Sequence, residues 1–446
     1  MGLIIDKQTR DDLSIFGARG AESVFGIFNK TTTSGGAELL EEWFNYPLSD
    51  ALSIVDRTAT IRYFMEQSMA FPFQSSWFDQ ALFYLDMADE RSRLQGGSLS
   101  LRERFQQLVG GDSEYKKIVG GIIACSQIIH CWKDLIRRSR ADHSESYQKE
   151  LKKWELKFAD SGLEQIPLLQ DKQRLPREIV IQYDNILRFE EKELLLNILR
   201  DIYTFDVYRT VAQVAHERQF VVPIVDSSQQ DQLIFEGVFH PLVVNARGND
   251  HAMDRLHNIT FLTGANMAGK STFMKSLGIA LYLAHVGFPV PAKKLLFSPR
   301  DGIFTSINLP DNIAMGYSHF FAEVLRIKKV AQQLAEGRKL FVIFDEMFRG
   351  TNVKDALEGT VEVVSRLYQH PRCQFVLSTH ILEAGEQLKQ SHGDIRFVFL
   401  PTVMQQGRPS YTYHLQQGIS ADRHGMIIIE NEGIIDLLTS QKQLDS

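Results

Sequence analysis

Nine consecutive residues carry the strongest chemical signal in the chain: Gly264-Ala265-Asn266-Met267-Ala268-Gly269-Lys270-Ser271-Thr272. The pattern is G-x-x-x-x-G-K-[ST], a loop that cradles nucleotide phosphates, and here it follows a strand-like run and opens a helical one. Glycine permits the tight turn that aims successive backbone N–H groups at phosphate oxygens. The start of a helix adds partial positive charge. All nine residues are therefore candidate nucleotide ligands. Lys270 would reach the β- and γ-phosphates, and the Ser271 hydroxyl would ligate Mg2+.

Two further signals complete a hydrolytic site. Asp345 and Glu346 follow the apolar run Leu340-Phe-Val-Ile-Phe344, seventy-five residues after Lys270. Beside a phosphate loop, two adjacent carboxylates at a strand tip divide the work. Asp345 would hold the Mg2+ shell through water, and Glu346 would orient or deprotonate the attacking water. His380 closes the run Phe375-Val-Leu-Ser-Thr379. In an α/β order it falls at the carboxyl end of a strand, where doubly wound sheets bind ligands, and would sense the γ-phosphate. ATP and Mg2+ are the expected cofactors, and ATP hydrolysis is the expected reaction.

The elements that must position these groups fall in the second half of the chain. From about residue 225, Ile259–Thr263, Leu340–Phe344 and Gln374–Ser378 read as short buried strands separated by helical patterns. That alternation predicts a parallel sheet in an α/β domain. The first half reads as all helical: Leu39, Leu40, Trp43 and Phe44 recur at helical spacing, as do Leu187, Leu194, Ile198 and Ile202. Pro167 and Pro176 mark turns between helices. The expectation is a multidomain α and α/β protein, with a helical domain over residues 1–222 and a P-loop ATPase domain over 223–446.

Bulk properties narrow the partners. The 446 residues carry a net charge of −6, which gives no general electrostatic case for nucleic acid. The balance is uneven: residues 1–90 hold 6 Lys+Arg against 14 Asp+Glu, and residues 91–157 hold 14 against 8. The second stretch is either a solvated helical face or a phosphate-contacting surface. Cys125, Cys131 and Cys373 show no paired spacing, which fits a reducing compartment. The N-terminus places charges where a signal peptide needs an apolar run, so the expected location is the cytoplasm.

The order and wording of the motif blocks resemble the MutS family of DNA mismatch repair ATPases. Thr263–Thr272 is similar to TGPNMxGKST, Asp301-Gly-Ile-Phe-Thr305 to DxIFTRIG, and Asp311–Glu323 to DxxxxGxSTFxxE. Asp345–Thr351 is similar to DExGRGT, and Ser378-Thr-His380 to the (A/S)TH switch. Upstream, Thr33–Arg57 resembles the start of the family's helical core domain and Phe205–Pro223 its end. The resemblance implies an ABC-type ATPase domain that dimerises, with composite nucleotide sites. Ser318 would act in trans on the γ-phosphate held by the partner's loop, and Arg349-Gly-Thr351 would lie at the dimer seam. Ala265, Ala268, His319 and Phe348 depart from the family's proline, glycine, threonine and glycine, and Phe239-His240-Pro241 lacks its arginine. No residue is assigned to stack on adenine, and no mismatch-recognition domain is expected. The leading expectation is a shortened MutS-like ATPase that forms a homodimer and changes conformation on mismatched or branched DNA. The alternative is a nucleotide-dependent switch acting on a protein or ribonucleoprotein partner.

Overall fold

The computed structural model describes residues 2–17, 22–67, 69–87, 112–139, 145–158, 161–170, 174–226, 228, 230–265, 267–307, 319–405, 408–420, 434 and 437–438. In chain order, β1 (Ile4–Ile5) leads to helices α1 (Lys7–Asp12), α2 (Val24–Phe28), α3 (Ser34–Asn45), α4 (Ala51–Glu66), α5 (Ser75–Asp86), α6 (Asp112–Ser139) and α7 (Glu145–Phe158). Then come α8 (Arg177–Asp184), a π-helical turn at Asn185–Glu190, and α9 (Lys192–Arg218). The remainder alternates: β2 (Ile224–Val225), β3 (Leu233–Val238), β4 (Asn249–Met253), β5 (Ile259–Gly264), α10 (Lys270–Val286), β6 (Lys294–Phe297) and β7 (Gly302–Ser306). It continues with α11 (His319–Ala335), β8 (Leu340–Phe344), α12 (Val353–Leu367), β9 (Gln374–Ser378), α13 (Leu382–Ser391) and β10 (Arg396–Leu400). A hairpin of β11 (Thr402–Gln405) and β12 (Arg408–Tyr411) and the short β13 (Gln416–Gln417) follow.

These elements form two compact units that interleave in sequence. One comprises residues 1–28, 43–58 and 214–446, and the other residues 29–42 and 59–213. The expected division at 222/223 treats the halves as consecutive blocks. Long-range bonds explain why the first residues instead join the α/β unit. Ile4 and Ile5 pair in parallel with Gly302 and Ile303 of β7, so the expectation of an all-helical N-terminal half is corrected here. Asp12 accepts hydrogen bonds from the Thr305 hydroxyl at 2.7 Å and the Ile307 amide at 3.0 Å. Asp6 caps α1 through the Thr9 amide at 3.0 Å and pairs with Arg326 and Lys329 on α11.

The α/β unit is built on a seven-stranded sheet of order β1-β7-β8-β9-β5-β10-β13, in which β13 alone among these strands runs antiparallel to its neighbour. Every residue of β7, β8 and β9 is buried, as expected of parallel strands covered on both faces. The apolar runs read from the sequence as strands are β5, β8 and β9, three neighbours at the sheet's centre. Helix α10 is buried almost all round, so it is a core helix rather than a surface one. It ends at Gly287, whose φ of 80° is the left-handed cap that glycine allows. A second sheet of order β2-β6-β3-β4 carries the approach to the phosphate loop.

The other unit is helical. Trp132 and Trp154 pack with ring centroids 4.7 Å apart, tying α6 to α7. Asp206, fully buried on α9, accepts from the amides of Thr32 at 2.9 Å and Thr33 at 2.8 Å, just before α3 begins. Arg188 and Asp184 form a buried pair at 2.5 Å across the junction of α8 and the π-helical turn, with the Tyr84 hydroxyl donating to Asp184 at 2.8 Å.

Burial alone would raise the Asp6 pKa, but the hydrogen bonds from Arg326 and Lys329 outweigh it and hold the carboxyl well below the usual range. A depressed folded pKa contributes stability above the unfolded value and loses it as pH falls through the folded one. Asp6→Asn is therefore expected to destabilise the α/β unit by about 2 kcal/mol at pH 7 in chemical denaturation. The gap from wild type should narrow steadily below about pH 4, where the unfolded carboxyl protonates. A gap independent of pH would show that the ion pair is not its source.

Candidate functional site

In a parallel sheet all carboxyl ends lie along one edge, and the order β8-β9-β5 sets three of them side by side. The loop after β5 turns through φ values of 137° at Gly264, 70° at Met267 and 99° at Gly269. A Cβ on Gly264 would lie 3.1 Å from the Leu400 carbonyl oxygen, so both space and conformation demand glycine there. Ala268 is buried, which accounts for a small residue at that position. Lys270 opens α10 and is buried, its ammonium donating to the Gly264 carbonyl at 2.9 Å and the Ala265 carbonyl at 3.1 Å. Burial lowers its pKa, and the negative charges of Asp345 and Glu346 oppose that shift.

The tip of β8 supplies the carboxylates. The Ser271 hydroxyl donates to Asp345 Oδ2 at 2.5 Å, and the Ser378 hydroxyl at the end of β9 donates to Asp345 Oδ1 at 2.5 Å. Burial pushes the Asp345 pKa up despite these two donors. Glu346 sits at a φ of 56°, a left-handed conformation uncommon outside glycine, and its amide donates to the Ser378 hydroxyl at 3.0 Å. The Glu346 carboxylate lies 2.6 Å from His380 Nε2 and 3.1 Å from Arg349 Nη1. The hydrogen bond from His380 is the largest influence on it and lowers its pKa against the opposing effect of burial.

Phe348, where the similar family block has glycine, keeps a φ of 61° that glycine would favour. Its ring is buried against Gly359, where an added Cβ would come within 3.3 Å of it, and lies 5.8 Å from the ring of Phe320. Packing of the ring offsets the strain of the left-handed backbone.

Lys270, Ser271, Asp345, Glu346 and His380 are brought together. Gly264, Ala265, Met267, Ala268, Gly269 and Thr272 form the loop and first helical turn around Lys270. Asn266 and Ser318, with the rest of the Asp311–Ser318 stretch, lie outside the described residues.

A cavity of about 610 Å3, within the ordinary range for small-ligand sites, opens beside the loop. His240, Val244, Gly269, Thr272, Tyr411 and Tyr413 are among the residues that line it. The Tyr413 ring lies so close to Gly269 that a Cβ there would come within 3.1 Å of it. Burial and the charge of Lys275 push the His240 pKa down to about 4, so the imidazole is neutral. The Leu242 amide donates to its Nδ1 at 3.3 Å, which leaves the ring proton on Nε2. Tyr411 and Tyr413 were not found from sequence. Tyr413 lies 144 residues beyond Gly269 and reaches it because β10, which leads into the β11–β12 hairpin, is the neighbour of β5.

Two family models match consecutive parts of the chain. Residues 8–219 match the model of MutS domain III, and residues 260–443 match that of MutS domain V. A DNA mismatch repair protein MutS of Anaplasma phagocytophilum is 32% identical over 224 residues, covering 50% of this chain and 27% of that protein. The MutS of Pseudothermotoga lettingae is 26% identical over 380 residues, covering 81% of this chain and 44% of its own length. The chain belongs to the MutS family. It spans less than half the length of these relatives.

The hydrogen bond between His380 and Glu346 is directly testable. His380→Ala is expected to raise the Glu346 pKa toward the ordinary glutamate value, read by carboxyl 13C NMR of glutamate-labelled protein. An unchanged titration would mean that the two side chains are not paired in solution.

Proposed function

We propose that this chain binds and hydrolyses ATP with Mg2+ and, as a homodimer joined through its α/β unit, uses the nucleotide to change conformation on DNA. The observation that carries the reading is the convergence of Lys270, Ser271, Asp345, Glu346 and His380 at three adjacent strand tips. Lys270 and the amides of the loop after β5 would hold the β- and γ-phosphates, with the N-terminus of α10 adding to the attraction. The base would enter the neighbouring cavity and stack on Tyr413.

Ser271 Oγ and Asp345 Oδ2, 2.5 Å apart, would hold Mg2+ together with substrate phosphates, the serine directly and the aspartate through water. When bound, the ion would neutralise charge developing on the transferred phosphoryl group. Glu346 is ionised at neutral pH, because its pKa lies below the ordinary glutamate value. A carboxylate this weakly basic acts best by accepting a hydrogen bond from the attacking water and fixing its approach, rather than by removing its proton early. His380, bonded to Glu346, would hold that orientation and register the γ-phosphate. Ser318 would be supplied by the partner subunit, so that nucleotide contacts both subunits only in the closed dimer and shifts the population toward it.

DNA enters the reading through the family and through one feature of the helical unit. A groove of about 540 Å3 beside α6 and α7 is lined by Lys133, Arg137 and Lys152, by the carboxylates of Glu155 and Glu164, and by the apolar Ile136, Leu156 and Phe158. Basic heads over apolar stems suit a phosphate backbone. Part of the basic 91–157 stretch lies outside the described residues. Among the described residues no helix is long and apolar enough to cross a membrane, and the cytoplasm is the compartment that fits the reading.

Lys270→Ala is expected to weaken ATP binding by at least about 100-fold in isothermal titration, since a buried charge-assisted contact to phosphate is removed. Glu346→Gln should bind ATP normally, slow turnover by about 100-fold or more, and elute as a dimer with ATP. Anisotropy at low salt against duplex, mismatched and four-way-junction DNA, with and without ATP, tests the DNA part. Wild-type turnover by Glu346→Gln would remove it as the water-positioning residue. Failure to bind any of the three DNAs would leave the ATPase acting on a protein or ribonucleoprotein partner.

A further inference from the structure

Tyr413 needs support to serve as a base platform. It sits at a φ of 57° on a segment that follows the β11–β12 hairpin, and its side chain is about half exposed. A left-handed tyrosine costs about 1 kcal/mol or more relative to extended backbone. The segment's own bonds are modest: the Thr412 hydroxyl donates to the Pro401 carbonyl at 3.3 Å, and the His414 amide donates to the Thr412 hydroxyl at 3.3 Å.

The stronger hold comes from across the cavity. The Asn249 side-chain amide donates through Nδ2 to the Tyr413 carbonyl at 2.9 Å. Its Oδ1 accepts from the Leu415 amide at 2.8 Å. One carboxamide therefore bridges two peptide groups that bracket His414, as a backbone strand partner would. Asn249 is itself rigidly mounted. It is buried as the first residue of β4, in register with Val238 of β3. The β3 strand bulges at that point, where Gly237 takes a φ of 60° and its amide donates to Asp250 Oδ1 at 2.7 Å. Gly248 packs against the same backbone so closely that a Cβ would meet the Gly237 carbonyl oxygen at 2.9 Å. Bulge, glycine pair and aspartate together fix where the Asn249 amide points.

We propose that Asn249 is the positioning residue for nucleotide affinity: it locks the Tyr413 turn against the edge of the phosphate loop and so preorganises the surface on which the base stacks. The proposal rests on the nucleotide reading of the site and adds to it a residue of the cavity wall that acts through the Tyr413 turn. With both bonds in place, the ring is held beside Gly269 before nucleotide arrives. Without them, binding must itself order the turn, and affinity falls by the ordering cost. The catalytic carboxylates lie at the tip of β8 and are untouched, so turnover at saturation is preserved.

The test is a double-mutant cycle on the full chain, with ATP affinity read by isothermal titration and turnover by phosphate release. Asn249→Ala is expected to weaken ATP binding about tenfold, equivalent to about 1.4 kcal/mol. Its kcat should stay within about twofold of wild type. Tyr413→Ala should lose affinity to a similar or larger degree, and adding Asn249→Ala to it should cost nothing further, since the platform is already gone. Asn249→Asp, which keeps the acceptor for Leu415 and loses the donor to Tyr413, should fall between wild type and Asn249→Ala, and serves if the alanine variant folds poorly. Unchanged affinity in the Asn249 variants, or losses that multiply in the double mutant, overturns the proposal. Absence of ATP binding by the wild-type chain is a different result: it removes the nucleotide reading itself.

Discussion

Parallel pairing of β8, β9 and β5 is the constraint on which the rest of the structure depends. Each strand is a short, fully or almost fully buried apolar run, and parallel strands present their carboxyl ends along a single edge. Residues separated by 33 to 74 positions in the chain are thereby delivered within hydrogen-bonding distance of each other. Ser271 reaches Asp345, Ser378 reaches the other oxygen of the same carboxylate, and His380 reaches Glu346. The ladder of backbone bonds fixes the register, so the spacing of the polar groups follows from the packing of apolar ones. Polar chemistry at the edge is held in place by an interior with no polar role.

The edge is also where the backbone departs from ordinary geometry. Gly264, Met267, Gly269, Glu346 and Phe348 all take positive φ. The glycines do so at little steric cost, whereas Glu346 and Phe348 must be held there by their surroundings. Glu346 is held by the hydrogen bond its amide donates to the Ser378 hydroxyl and by His380 and Arg349 on its carboxylate. Phe348 is held by burial of its ring over Gly359. Strain of this kind keeps side chains where relaxed backbone would not place them. It also shows how a phenylalanine can occupy a left-handed position in the turn.

The sequence makes these central strands legible because an apolar five-residue run between helical patterns has few other fates, and the phosphate loop is legible because its glycines and lysine have a mechanical reason to stand at fixed spacing. Other parts leave no local trace. Leu3-Ile4-Ile5 is too short to read as a strand, and only pairing with Gly302 and Ile303 makes it one. For the same reason the first 28 residues fold with the α/β unit while the helical pattern suggests otherwise. Tyr413 and Asn249 sit in unremarkable surroundings in the chain. Their meeting depends on β10 lying next to β5 and on a bulge in β3, long-range facts that no spacing encodes. Phe348 shows the reverse case, in which the departure from pattern is plain in the sequence but the way its ring is accommodated emerges only from packing.

The central claim is that this edge grips a triphosphate and readies water for attack on it. The most direct measurement is single-turnover release of phosphate from γ-labelled ATP by the purified chain, with magnesium and with the metal chelated. The account predicts nucleotide retention, with release that requires magnesium and disappears when Lys270 is replaced by alanine. Neither retention nor magnesium-dependent release from the intact chain would contradict it.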